Sequence, residues 1–271
     1  SKSASIYLFK YDVNRVPEGK VLDFIYANAG VNIAQFNHEV QNRALPNDPS
    51  IGSQWHHVDG SDNDIDSDLA WDITTGGQTS NGDEIVVCVI EGGGANYNHP
   101  DLIANHWTNT AEIDNNGIDD DGNGYIDDFN GWNPVSDNDN VGNANHGTAV
   151  SGMIGAKGNN NNGGAGVNWD VKIMQVDLGS LTEANVIESY SYPLTMRERY
   201  NASNGAEGAF VVATNASWGI DNANPANYPV WCAFYDTLGA AGILNCGATS
   251  NSNVNVDVNG DMPTGCSSTY M

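Results

Sequence analysis

The strongest constraint on folding is an unbroken apolar run at 85–90, Ile-Val-Val-Cys-Val-Ile, preceded by Asp83 and Glu84 and followed by Glu91 and three glycines. Consecutive apolar residues without alternation fit a strand covered on both faces, as in parallel sheets. Similar short, predominantly apolar runs recur at 171–176, 210–213 and 242–246. Between them the pattern predicts helices at 147–154, 182–199 and 228–238. Strands alternating with helices predict an α/β fold, a mostly parallel sheet with helices on both faces. In such sheets reactive side chains gather at the carboxyl ends of the strands.

Residues 1–45 read differently, as a small α+β segment. A strand is expected at 6–9, a helix over 16–29 and a second strand at 35–40. Val21, Leu22, Phe24 and Ile25 recur at helical spacing, and Gly30 is a stop signal. Pro46-Asn47-Asp48-Pro49 then punctuates the chain. The expected boundary lies there, separating 1–45 from a main domain at 46–271. A short helix is expected near 65–73, and the Asn- and Gly-rich stretch 159–166 reads as a surface loop.

Acidic residues number 34 against 9 Lys and Arg, a formal net charge of −25. That excess repels nucleic-acid phosphates and anionic membrane surfaces, so neither is an expected partner. No apolar run approaches the roughly 20 residues a membrane span needs. The chain starts at Ser1 without an initiator Met, and a removed leading segment, such as a targeting signal, is expected. Cys88, Cys232, Cys246 and Cys266 form no CxxC pair, which argues against zinc or thioredoxin-like chemistry. They allow three full pairings in an oxidising compartment. Cys246 and Cys266 flank a polar loop that such a bond would staple.

Two strings carry chemistry. Asn145-His146-Gly147-Thr148-Ala149-Val150-Ser151-Gly152 combines a histidine with small residues at 147, 149, 151 and 152. Those residues would let a helix approach a sheet closely, with His146 at its N-terminal end as a general base. A carboxylate closing the first apolar run, Glu91, would orient that imidazole. The second string, Asp119-Asp120-Asp121-Gly122-Asn123-Gly124-Tyr125, opens like a calcium loop. Oxygens of Asp119, Asp121 and Asn123, the Tyr125 carbonyl, and Asp127 or Asp128 would surround one Ca²⁺. A twelfth-position Glu is absent, because that residue is Asn130. Asp137 and Asp139 read as solvated loop, and Trp107, Trp132 and Trp169 as core or cleft wall.

These strings, with Asn98-His99-Pro100-Asp101-Leu102, resemble the subtilase family of serine peptidases. Its members carry Asp-x-Gly ending the first core strand, then His-Pro-x-Leu and His-Gly-Thr-x-Val-x-Gly. The segment from Gly166 to Met174 resembles the family's entry to its next core strand. Ala216-Ser217-Trp218-Gly219 resembles the strand end lining the substrate cleft, which implies that Ser217, Trp218 and Gly219 contact substrate. Residues 1–45 resemble the end of an inhibitory prodomain. The family's aspartate position falls on Glu91, or on Gly92 when counted back from His99. Its oxyanion residue falls on Thr249 in a gap-free count, or on Asn251 after a two-residue shift. Some members carry a similar acidic loop, which implies bound calcium. No Gly-Thr-Ser-x-Ala string follows His146, so the nucleophile is expected in a further C-terminal portion of the same polypeptide.

The expected function is that of the N-terminal part of a secreted or cell-surface, calcium-binding serine endopeptidase acting on peptides or proteins. The alternative is a catalytically inactive relative serving as a binding or structural module. By itself the chain is expected not to hydrolyse peptides.

Overall fold

A computed structural model describes residues 7–28, 30–36, 45–61 and 63–271. The chain divides into two compact units, Ser1–Asn42 and Arg43–Met271.

The first unit contains α1 (Glu18–Tyr26), which Pro17 precedes and Ala27 closes by donating its amide to the Asp23 carbonyl. Val21 is buried on this helix, whereas Phe24 stays exposed. The Tyr26 hydroxyl donates to the Ala34 carbonyl at 2.7 Å and accepts the Ala34 amide at 3.0 Å. The strand expected at 6–9 is not seen at residues 7–9, whose side chains are exposed. A strand needs a ladder partner for its backbone groups, and no described residue supplies one. Residue 6, and 37–40 of the second expected strand, lie outside the described residues.

The second unit carries α2 (Ser67–Trp71), β1 (Val86–Glu91), α3 (Asn145–Gly155), β2 (Lys172–Asp177), α4 (Glu183–Ser203), β3 (Val211–Ala216), β4 (Ile220–Asp221), α5 (Pro229–Ala241), β5 (Leu244–Gly247), α6 (Val256–Asn259) and β6 (Asp261–Met262). The main sheet runs β2-β1-β3-β5, and every neighbouring pair is parallel. β4 and β6 form a separate antiparallel pair.

Side chains alternate across β1, which explains its apolar composition. Val86, Cys88 and Ile90 join the core beneath α4 and α5, with Met174, Tyr190, Trp231 and Tyr235. Val89, partly buried Val87 and Ile173 face Val150 and Ile154 of α3. Both faces are therefore covered, and each fully buried aliphatic side chain contributes roughly 1.5–3 kcal/mol. In register, Glu91 pairs with Asp177 and Ile90 with Ala216, so β1, β2 and β3 end at one level.

The close face of α3 differs from the expected one. Gly147, Ser151 and Gly155 are buried, while Ala149 is exposed and Gly152 has open space beside it. Helical periodicity brings every fourth residue to the contact, which selects 147, 151 and 155. The disulfide joins Cys232 to Cys266, correcting the expected bond between Cys246 and Cys266. α5 carries Cys232 to a Cα separation of 5.3 Å from Cys266, whereas Cys246 sits on edge strand β5 and is free. Among the described residues no helix is long and apolar enough to cross a membrane.

Candidate active site

Glu91 closes β1 and is almost fully buried. Its Oε2 lies 2.9 Å from His146 Nδ1, and its Oε1 accepts the Ser217 amide at 2.9 Å. Three elements converge here: the end of β1, the first turn of α3 and the segment leaving β3. Glu91 rather than Gly92 meets the imidazole. The longer glutamate side chain lets one carboxylate span both partners. The His146 side chain is 65% exposed against 3% for Glu91, so the ring is anchored at one nitrogen and open to solvent elsewhere.

The approach of α3 depends on glycine. A Cβ at Gly147 would stand 2.2 Å from the Gly94 carbonyl oxygen and 3.1 Å from Glu91 Cβ. In the Gly92-Gly93-Gly94 turn that follows Glu91, the last residue is the most confined. Gly94 has φ +57°, and a Cβ there would stand 1.6 Å from the Val141 carbonyl oxygen. Gly93 O accepts the amides of Asn143 and Ala144, the residues leading into α3.

The Trp218 indole donates to the Ile90 carbonyl at 2.7 Å, tying the segment after β3 to the residue before Glu91. Gly219 lies against β6, where a Cβ would stand 2.2 Å from the Met262 carbonyl oxygen. Ser217 and Trp218 are half-buried and Gly219 is exposed. Thr249 and Asn251 follow the end of β5, both exposed, and the Ala248 amide donates to the Ala216 carbonyl at 2.9 Å. Both oxyanion candidates thus belong to a segment tied to the same end of the sheet. Trp107, Trp132 and Trp169 are buried, as expected of core residues.

The acidic loop forms a second site. Glu112, Asp119 and Asp121 each bring a carboxylate oxygen within 4.8 Å of the others. Glu112 Oε1 accepts the Asp121 amide at 3.0 Å, while its Oε2 is buried with no hydrogen-bond partner among the described residues. Burial raises the Glu112 carboxyl, and the charges of Asp121 and Asp120 add to the shift. An all-oxygen set with an unpartnered buried carboxylate oxygen suits a hard cation. Glu112 had no signal in the sequence, because it stands outside the acidic string and reaches it only where the intervening turn folds back.

The expected ligands divide. Asp119 and Asp121 lie in the cluster. Asn123 sits between them: its amide donates to Asp119 Oδ1 and Asp121 Oδ1, and its side-chain oxygen accepts the Tyr125 amide at 2.7 Å. Asp127 instead turns to the Asn116 and Gly117 amides, each at 2.8 Å. Asp128 is fully buried, accepting from Asn109, Asn123 and Tyr192, and burial pushes its carboxyl up to about 6. Neither completes the cluster as the sequence pattern had it. Asp139 accepts two bonds from Asn130.

The family model described as "Subtilase family" matches residues 82–271. Subtilisin-like protease 1 of Plasmodium falciparum (isolate 3D7) is 47% identical over 96 residues, covering 32% of this chain and 13% of that protein. The Plasmodium vivax protein of the same name is 44% identical over 96 residues, covering 14% of its length. The matched segment is thus a small part of these relatives. A solved structure of proteases from Pseudoalteromonas arctica superposes with a TM-score of 0.55 at 22% identity, covering 83% of this chain and 64% of that one. The Aeromonas sobria serine protease, solved with its chaperone, gives 0.50 at 17% identity, covering 75% of this chain and 32% of that one. At such identities these structures speak for the fold.

Proposed function

The chain belongs to the subtilase family, and we propose from that premise that it is the histidine-bearing part of a secreted, calcium-binding serine endopeptidase. One observation carries the proposal. A buried glutamate holds Nδ1 of an exposed histidine at 2.9 Å and is itself held by a backbone amide. That arrangement fixes the tautomer with Nδ1 protonated, leaving Nε2 as the base.

A serine from outside residues 1–271 would present its hydroxyl to His146 Nε2. The imidazole takes that proton as Oγ bonds to the peptide carbonyl carbon, and Glu91 stabilises the imidazolium. His146 then returns the proton to the leaving amine, and water hydrolyses the acyl-enzyme by the same route. The developing oxyanion falls to the segment after β5, where Asn251 is the first candidate donor and Thr249 the second; such a donor is worth roughly 3–4 kcal/mol. Substrate lies along Ser217, Trp218 and Gly219 as an added strand. Residues 1–45 are read as the end of a prodomain.

Calcium bound at the acidic loop would be held by Glu112, Asp119 and Asp121, with Asn123 and the Tyr125 carbonyl beside them. It supplies no step of the reaction; it neutralises carboxylates that otherwise repel one another.

The test uses the polypeptide extending past Met271, its mass verified. A fluorophosphonate probe is expected to label it, and His146→Ala to abolish labelling. An unlabelled, folded polypeptide would remove the catalytic reading.

A further inference from the structure

We propose that Asp177 is a positioning residue that fixes both halves of the Glu91–His146 pair. The proposal rests on the catalytic reading of that pair. Asp177 ends β2 directly opposite Glu91 in the parallel register, and it is 8% exposed. Its Oδ1 accepts the Gly93 amide at 2.8 Å and the Gly179 amide at 2.9 Å, while Oδ2 accepts Asn133 Nδ2 at 3.2 Å. No cation pairs with it among the described residues, so three N–H donors stabilise its charge.

Gly93 is where the two catalytic residues meet through the backbone. It lies two residues past Glu91, whose carbonyl accepts the amides of Gly94 and Leu178. Its own carbonyl accepts the amides of Asn143 at 3.1 Å and Ala144 at 3.0 Å. Ala144 is the N-cap residue of α3, and His146 is the second residue of that helix. A single carboxylate oxygen on Gly93 therefore sets the exit of β1 and, one peptide further, the entry of α3. The neighbouring glycine confirms how tightly the group is enclosed: a Cβ at Gly142 would stand 3.0 Å from Asp177 Oδ2. An asparagine in place of Asp177 has one accepting oxygen, and its NH₂ group would confront the NH₂ of Asn133.

The test is a double-mutant cycle on the polypeptide extending past Met271. Asp177→Asn is expected to slow fluorophosphonate labelling by about 10- to 100-fold, the scale of a small misplacement of catalytic groups. KM for a peptide substrate is expected to stay within about twofold, because Asp177 does not touch substrate. In a Glu91→Ala background Asp177→Asn is expected to cause a smaller proportional loss, since the part of its effect that passes through Glu91 is already gone and only the part through His146 remains. Labelling at the unsubstituted rate, or an equal proportional loss in both backgrounds, overturns the proposal. If Asp177→Asn melts below the assay temperature, Asn133→Ala removes one of the three donors and is read by the same cycle.

A second readout needs no activity. In spectra of ¹⁵N-histidine protein, the His146 Nδ1–H line, assigned through His146→Gln, is expected to move or vanish in Asp177→Asn. A line unchanged in that variant refutes the positioning role. Absence of labelling in the unsubstituted polypeptide instead refutes the catalytic reading and leaves this measurement to decide.

Discussion

Glu91 and His146 meet at 2.9 Å through Oε2 and Nδ1, while the second oxygen of the same carboxylate accepts the Ser217 amide. The two bonds use both oxygens, which separates two substitutions. Glu91→Asp keeps the charge but shortens the arm, so one bond must lengthen, and labelling is expected to slow by about 10- to 100-fold. Glu91→Gln keeps the length but offers a single acceptor for two N–H donors. The imidazole is then free to take the wrong tautomer, with a loss of about 10³- to 10⁴-fold. Labelling rates of the three proteins settle the order. A glutamine variant as fast as the unsubstituted protein would show that the carboxylate does not orient the base.

The calcium proposed for the acidic loop makes a prediction about stability. A ligand binding only the native state adds about 2.7 kcal/mol at 100-fold excess over its Kd. For a domain of this size that corresponds to roughly 5–10 °C of melting temperature. Chelation is expected to lower the midpoint of the unsubstituted chain by that order. In Glu112→Gln, which removes the charge on the unpartnered buried oxygen, chelation is expected to change little. Equal chelator responses in the two proteins would place any bound calcium elsewhere.

His106 supplies a pH dependence. Its ring stacks on Tyr97 with centroids 4.3 Å apart, and burial, with Lys172 adding to it, holds its pKa down to about 4. An unfolded histidine titrates near 6.5, so between those values the unfolded chain binds the extra proton and stability falls as pH falls. By pH 5 about 2 kcal/mol from this residue is lost, approaching roughly 3 kcal/mol near pH 4. His57, buried between Ser67 and the Ala165 carbonyl, is lowered by burial in the same sense. Acidification also discharges a chain of net charge −25, which acts the other way. The comparison is therefore with His106→Phe. The difference in urea midpoint between the two proteins is expected to change from pH 7.5 to pH 5 in favour of the variant. A constant difference would mean that His106 does not titrate on unfolding in that range.

The sheet and the paired residues at the carboxyl ends of its strands were legible because they arise from local pattern. A buried parallel strand must be apolar throughout, and a carboxylate at its end stands out against that run, as Glu91 does. Asp177 ends its strand in the same way and was open to the same inference. Contacts set by turns were not legible. Glu112 joins Asp119 and Asp121 only where the turn between them folds back. Asp127 and Asp128 look equivalent in the string, yet one caps a neighbouring turn while the other is buried against Tyr192. The disulfide partner of Cys266 likewise depended on where α5 packs, and loop length alone pointed to Cys246.

The small-residue face of α3 gives the most direct test of how the fold serves the site. Gly147→Ala adds one methyl group 2.2 Å from the Gly94 carbonyl oxygen and 3.1 Å from Glu91 Cβ, and backbone cannot yield as a flexible side chain does. Overpacking of this kind typically costs about 1–3 kcal/mol. Gly152→Ala on the same helix adds its methyl group to open space and relieves a glycine in a helix interior, so it is expected to be neutral or stabilising by roughly 0.5–1 kcal/mol. Denaturant midpoints of the two variants should therefore move apart. Labelling discriminates further, because displacing α3 carries His146 away from Glu91 while Gly152→Ala leaves the pair in place. Equal midpoints and equal labelling would mean that the helix does not need its close approach to the sheet to hold the histidine.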